Sequence, residues 1–189
     1  MYSKKEIYTS SNLLSFLRLL MAIPFWILIG NLNEPGIRYI VAALAIIGAV
    51  TDVLDGYLAR KYNEVTELGK IIDPLADKVA IGAIVIKLFL IGEIPDYYFY
   101  LIVGRDLLIF IGGVFVTKKI GRVLPSNMLG KITVSVIGIV VILIFLSVNR
   151  HTFLFEVFYY GSIVLIFVSF FAYIYRAAEY IIKENNGTV

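Results

Sequence analysis

Apolar residues run along the chain in six blocks, each long enough to cross a hydrocarbon core of about 30 Å, which takes roughly 20 helical residues. The blocks are Leu13–Asn31, Gly36–Leu58, Ile71–Ile91, Tyr97–Thr117, Met128–Val148 and Phe153–Tyr175. Short polar connections with helix breakers separate them, such as Asn33-Glu34-Pro35-Gly36 and Gly92-Glu93-Ile94-Pro95. Neither a repeat nor a low-complexity stretch divides them, so residues 1–189 are expected to form one all-α membrane domain of six transmembrane helices. Met1–Ser11 is polar with scattered apolar residues, which suits a short interfacial helix. The first block contains Arg18 and no small-residue cleavage pattern follows it, so it is expected to be an anchored helix and not a removed signal.

Charge sets the expected orientation. Lys4, Lys5, Arg60, Lys61, Lys118, Lys119, Arg122 and Lys183 gather at one set of helix ends, against Arg38 and Arg150 at the other. Positive residues favour the cytoplasmic side, which places both termini there and makes this a multi-pass protein of the cell (inner) membrane.

Composition excludes other classes. Hydrophobic residues make up 60% of the 189-residue chain, charged residues only 16%, and mean hydropathy is +0.88. A soluble core of this size has too little polar surface to cover so much apolar side chain, and a net charge of +3 gives no basis for nucleic-acid binding. The chain has no cysteine and one histidine, His151, which excludes disulfides, thiolate zinc sites and a cysteine nucleophile.

Against that background four carboxylates stand out. Asp52 and Asp55 close the second block three residues apart, and Asp73 and Asp77 open the third four residues apart. At those spacings each pair shares a helix face, and the hairpin between the blocks allows all four to converge in the cytoplasmic half of the bundle. One such aspartate alone would be read as a cap or a partner of a nearby Lys or Arg. Four are different, because each charged residue in the bilayer costs about 2.5–3.5 kcal/mol on insertion scales and the four repel one another. Cations must neutralise them. Oxygen-only ligation selects a hard ion, Mg²⁺ or Mn²⁺, with Ca²⁺ also able to bind, and four carboxylates can be shared between two ions. Gly56 and Gly69 let backbone approach a bulky ligand beside them.

Asp52-x-x-Asp55-Gly56-x-x-Ala59-Arg60, eight residues, then Gly69-x-x-x-Asp73-x-x-x-Asp77 matches at every fixed position the signature of the CDP-alcohol phosphotransferases. The six-block plan resembles that family over nearly the whole chain. The resemblance implies displacement of CMP from a CDP-linked lipid by an acceptor alcohol, with divalent metal, in a homodimer. It makes Asp52, Asp55, Asp73 and Asp77 metal ligands, with Asp77 also the general base. Asp52, Gly56, Ala59, Arg60 and Gly69 would line the nucleotide.

Three cations suit an acceptor that carries phosphate: Arg105 in the fourth block, Lys131 at the start of the fifth and Arg176 at the end of the sixth. Arg105 lies about twelve residues, roughly 18 Å of helix, from the cytoplasmic end, where a cation is a functional candidate by default. Its structural alternative is an ion pair with Asp106 or Asp77; for Lys131 and Arg176 it is snorkelling to the interface. Asp73-Pro74-Leu75-Ala76-Asp77-Lys78 resembles the phosphatidylglycerophosphate synthase and cardiolipin synthase branches of the family. Asn12-Leu13-Leu14-Ser15 with Arg18 and Pro24, and Leu129-Gly130-Lys131, resemble the members that use glycerol phosphate. Arg105-Asp106 departs from the Arg-Glu common there and is closer to the cardiolipin synthases. The expected reaction joins CDP-diacylglycerol to sn-glycerol 3-phosphate, with phosphatidylglycerol as the alternative acceptor. A divalent-cation transporter would also use intramembrane carboxylates, but it gives no reason for the glycines at nucleotide-binding spacing and would show inverted halves.

Overall fold

The computed structural model describes the backbone of residues 10–61, 69–120 and 127–185, and the side chains of residues 20–51, 79–119 and 127–182. It is all helix: α1 (Ser10–Gly30), α2 (Ile37–Lys61), α3 (Gly69–Leu90), α4 (Asp96–Ile120), α5 (Met128–Phe145) and α6 (Phe153–Asn185). These are the six expected elements. The expected interfacial segment 1–11 lies almost wholly outside the described residues.

Several helix ends have a visible chemical cause. Asn127 caps α5 by accepting the Leu129 N–H at 3.1 Å, and Thr152 caps α6, its carbonyl accepting from Glu156 at 3.0 Å and its hydroxyl from Phe155 at 3.4 Å. At the end of α3, Gly92 turns left-handed (φ 76°). Its N–H reaches Phe89 O and the next N–H, of Glu93, reaches Leu88 O, so otherwise orphaned carbonyls are satisfied. The end of α5 uses a similar turn with Ser147 (φ 53°) where glycine is usual, and Val148 N–H closes on Leu143 O at 3.0 Å. The sixth helix corrects the expectation. It runs ten residues beyond Tyr175, because no breaker intervenes before Asn185-Asn186-Gly187 and because Ala177, Tyr180 and Ile181 still have Val116 of α4 to pack against.

The chain divides into two compact units, Met1–Glu93 with Phe145–Ser147, and Ile94–Ile144 with Val148–Val189. In the first, α1 packs along α3 and against α2, around buried Ile29, Val41, Ala42, Val85 and Leu88. Lys87 lies 5.0 Å from the centroid of the Trp26 ring, and Arg38 pairs with Glu93.

In the second unit α4 and α6 run parallel, in register. Tyr98 meets Ser162 at 2.7 Å, and Arg105, seven residues on, meets Ser169 at 3.0 Å. Both serines are fully buried and solve the same problem in the same way. Each hydroxyl donates back to its own helix, to Tyr159 O and Ile166 O, leaving its oxygen free to accept from α4. Antiparallel to these, α5 joins α6 where the buried Thr133 hydroxyl reaches both Leu129 O and Leu165 O. Small polar residues at such seams satisfy one another where water is absent.

Three stretches, Asp96–Lys119, Met128–Phe145 and Phe153–Ile182, are long and apolar enough to cross a membrane. Their outer faces expose Leu108, Phe110, Phe115, Val164 and Phe171, far more apolar surface than water tolerates. This is a membrane protein.

Candidate active site

The last third of α2 carries Asp52, Asp55, Gly56, Ala59 and Arg60, and α3 opens on Gly69 and carries Asp73 and Asp77. Both segments are helical, so Asp52 shares a face with Asp55, and Asp73 with Asp77. Pro74 sits in the second turn of α3, where its missing N–H would otherwise bond to Lys70 O. The side chains of these residues lie outside those described, and with them the expected convergence of the four carboxylates. The donor set fits a hard divalent cation: it is oxygen only, the chain has no cysteine, and His151 lies in the connection between α5 and α6. Among the described residues no group of three or more Asp, Glu or His could hold a metal.

Arg105 lies near the middle of α4. Its guanidinium is a fixed fork of five N–H donors, and its side chain is only 11% exposed. Nη1 donates to Asp106 Oδ1 at 2.5 Å and Nη2 to Ser169 at 3.0 Å, while Nε is buried without a partner among the described residues. Asp106, the expected structural partner, is therefore present, yet it does not use up the donors. Nη2 also lies 3.2 Å from the place a Cβ on Gly130 would occupy. Gly130 thus lets the cation settle against the first turn of α5, a helix end that carries partial positive charge. Asp106 supplies one negative charge to this cation, and the helix end adds to its attraction for anions.

The other two expected acceptor residues are placed differently. Lys131 is exposed and Arg176 half-buried; it is Gly130, not Lys131, that faces Arg105. Sequence reasoning missed Ser169 and Asn127. A serine inside an apolar helix and an asparagine at a helix start both have commonplace readings, and nothing in their spacing signals more.

Residues 8–175 match the family model described as CDP-alcohol phosphatidyltransferase. The chain belongs to that family. Among curated relatives of this phosphatidyltransferase, a protein of Aquifex aeolicus named CDP-diacylglycerol–glycerol-3-phosphate 3-phosphatidyltransferase is 36% identical over 179 residues, covering 92% of this chain and 98% of the relative. Proteins of the same name are 37% identical over 123 residues in Bacillus subtilis (64% of this chain, 63% of the relative) and 41% identical over 88 residues in Rickettsia bellii. The Rickettsia match spans about half of each chain, 47% here and 49% there. The match to the phosphatidyltransferase family covers α1 to most of α6, so the eight-residue motif sits inside the matched region.

Proposed function

We propose that the protein transfers the phosphatidyl group of CDP-diacylglycerol to sn-glycerol 3-phosphate, releasing CMP and forming phosphatidylglycerophosphate. The observation that carries this reading is the family match over residues 8–175 with all eight motif residues present. The relatives' names support the choice of acceptor. The family match leaves the transporter reading without support.

In this reading the acceptor oxygen attacks the β-phosphorus, a new P–O bond forms, and the bond to CMP breaks. Asp77 takes the proton of the attacking hydroxyl; no cysteine exists to do so, and His151 is in the connection that precedes α6. Divalent metal is the cofactor class of this family; here Asp52, Asp55, Asp73 and Asp77 would hold two such ions, Mg²⁺ or Mn²⁺ by their oxygen-only donors. Bound there, such ions supply charge stabilisation at the phosphoryl oxygens and the leaving group. Gly56, Ala59 and Gly69 give the nucleotide room against the helices, with Asp52 and Arg60 beside it. Arg105 with Lys131 and Arg176 orients the acceptor through its phosphate. Positioning of this kind carries a large share of phosphoryl-transfer catalysis.

The same reading treats the two units as one catalytic domain, because the family match runs through both. All six helices would span the cell (inner) membrane with both termini and the aspartates on the cytoplasmic side. Helices α1 to α3 are 21, 25 and 22 residues long, about 30 Å or more, and the cations at the helix ends divide eight to two. A homodimer follows from the resemblance.

The test is acceptor choice. Purified protein with CDP-diacylglycerol and Mg²⁺ is offered glycerol 3-phosphate, phosphatidylglycerol, inositol phosphate or serine. CMP release with glycerol 3-phosphate alone supports the reading; release with phosphatidylglycerol would make the enzyme a cardiolipin synthase.

A further inference from the structure

Three buried side-chain polar atoms lack a partner among the described residues: Arg105 Nε, Asn127 Nδ2 and Tyr173 Oη. Tyr173 packs beside Gly112 and Gly113, two turns further along α4 than Arg105. The other two lie on elements that meet. Arg105 Nη2 touches the position of a Gly130 Cβ, and Gly130 is three residues, one helical turn, beyond Asn127 on the same side of α5. Asn127 has two polar ends with different tasks. Oδ1 caps the helix through Leu129 N–H, and Nδ2, a donor only, is left buried and unsatisfied.

An unmade buried hydrogen bond is costly, and native proteins rarely leave one unexplained. Here the two unmade bonds lie on α4 and at the start of α5, which meet at Gly130, both are donors, and the Asp106 carboxylate beside Arg105 is 43% exposed. A phosphate, with several oxygens and negative charge, can accept from both donors. We infer that Asn127 is a further acceptor-binding residue: its Nδ2 donates to the phosphate of the acceptor alcohol beside Arg105 Nε, while its Oδ1 holds the first turn of α5 in place. This rests on the acceptor reading above and adds a residue to it. It also gives Asn127 a role that any good capping residue would not fill.

The distinction sets the experiment. Asn127→Ser keeps an N-cap of similar strength but removes the amide donor; Asn127→Asp keeps the cap and the size and puts a carboxylate where the donor was. The full-length enzyme in lipid, with CDP-diacylglycerol and Mg²⁺, is compared with both. The serine variant should raise the KM for glycerol 3-phosphate roughly tenfold, the scale of one hydrogen bond to a charged group, and the aspartate variant should raise it further. KM for CDP-diacylglycerol should stay within about twofold. The glycerol 3-phosphate concentration that half-maximally raises the melting temperature should move by the same factor. An unchanged acceptor KM in both variants overturns the inference, as does a parallel rise in both KM values accompanied by a lower melting temperature, which marks a cap and nothing more. Wild-type enzyme that releases no CMP with glycerol 3-phosphate instead sinks the substrate reading, and this residue's role with it.

Discussion

At the scale of single residues, the chemistry divides between carboxylates and cations. Asp77 lies farther along α3 than Asp73, the other aspartate of the motif on that helix, and Asp77→Asn keeps its shape and a carbonyl oxygen but cannot take a proton. The variant should bind CDP-diacylglycerol and lose about 10²–10⁴-fold in CMP release; turnover within a few-fold of wild type would show that another group is the base. Gly130 gives a prediction the sequence could not have made. A methyl there would come within 3.2 Å of Arg105 Nη2, and a guanidinium at the end of a flexible stem yields more readily than a helix backbone. Gly130→Ala should therefore leave thermal stability equal or slightly higher, since alanine is the better helix former, yet raise the acceptor KM several-fold; an unaltered KM would show that Arg105 need not sit where it does. Arg105 was legible because a cation in an apolar block has no cheap explanation. Asn127 and Ser169 were not, because capping and back-bonding to one's own helix explain such residues until the remaining hydrogen bonds are traced.

At the scale of elements, apolar blocks and breakers located all six helices; three stretches are long and apolar enough to cross a bilayer, where every backbone polar group must be satisfied within a helix. The ends were less legible. Beyond Tyr175 the charged residues Arg176, Glu179 and Lys183 break up the apolar block, while the helix itself continues to Asn185. The terminus of α5 was hidden for another reason: Ser147 adopts a left-handed conformation that composition assigns to glycine. For a residue with a Cβ that conformation costs about 1–2 kcal/mol, partly offset in a glycine variant by the greater freedom of the unfolded chain. Ser147→Gly should thus stabilise the protein by about 0.5 kcal/mol, the difference of those two effects, seen as a small rise in melting temperature in detergent. A lower melting temperature would mean that the serine side chain contributes more than its backbone costs.

At the scale of the whole molecule, the aspartates on α2 and α3 belong to one compact unit and the acceptor cations on α4 to α6 to the other. The proposed division of labour follows the same line, metal and nucleotide on the first and acceptor on the second. Removing metal should consequently abolish turnover without abolishing acceptor binding. Exhaustive chelation should stop CMP release, Mg²⁺ or Mn²⁺ should restore it, and Zn²⁺ should not, given an oxygen-only donor set; glycerol 3-phosphate should still shift the melting temperature of the chelated protein. Full activity after chelation would remove the metal from the account. The most direct measurement follows the acceptor's own phosphate. Enzyme in lipid vesicles, supplied with CDP-diacylglycerol, Mg²⁺ and phosphate-labelled glycerol 3-phosphate, should move one label into the lipid phase for each CMP released. CMP released while the label stays in water would contradict the account.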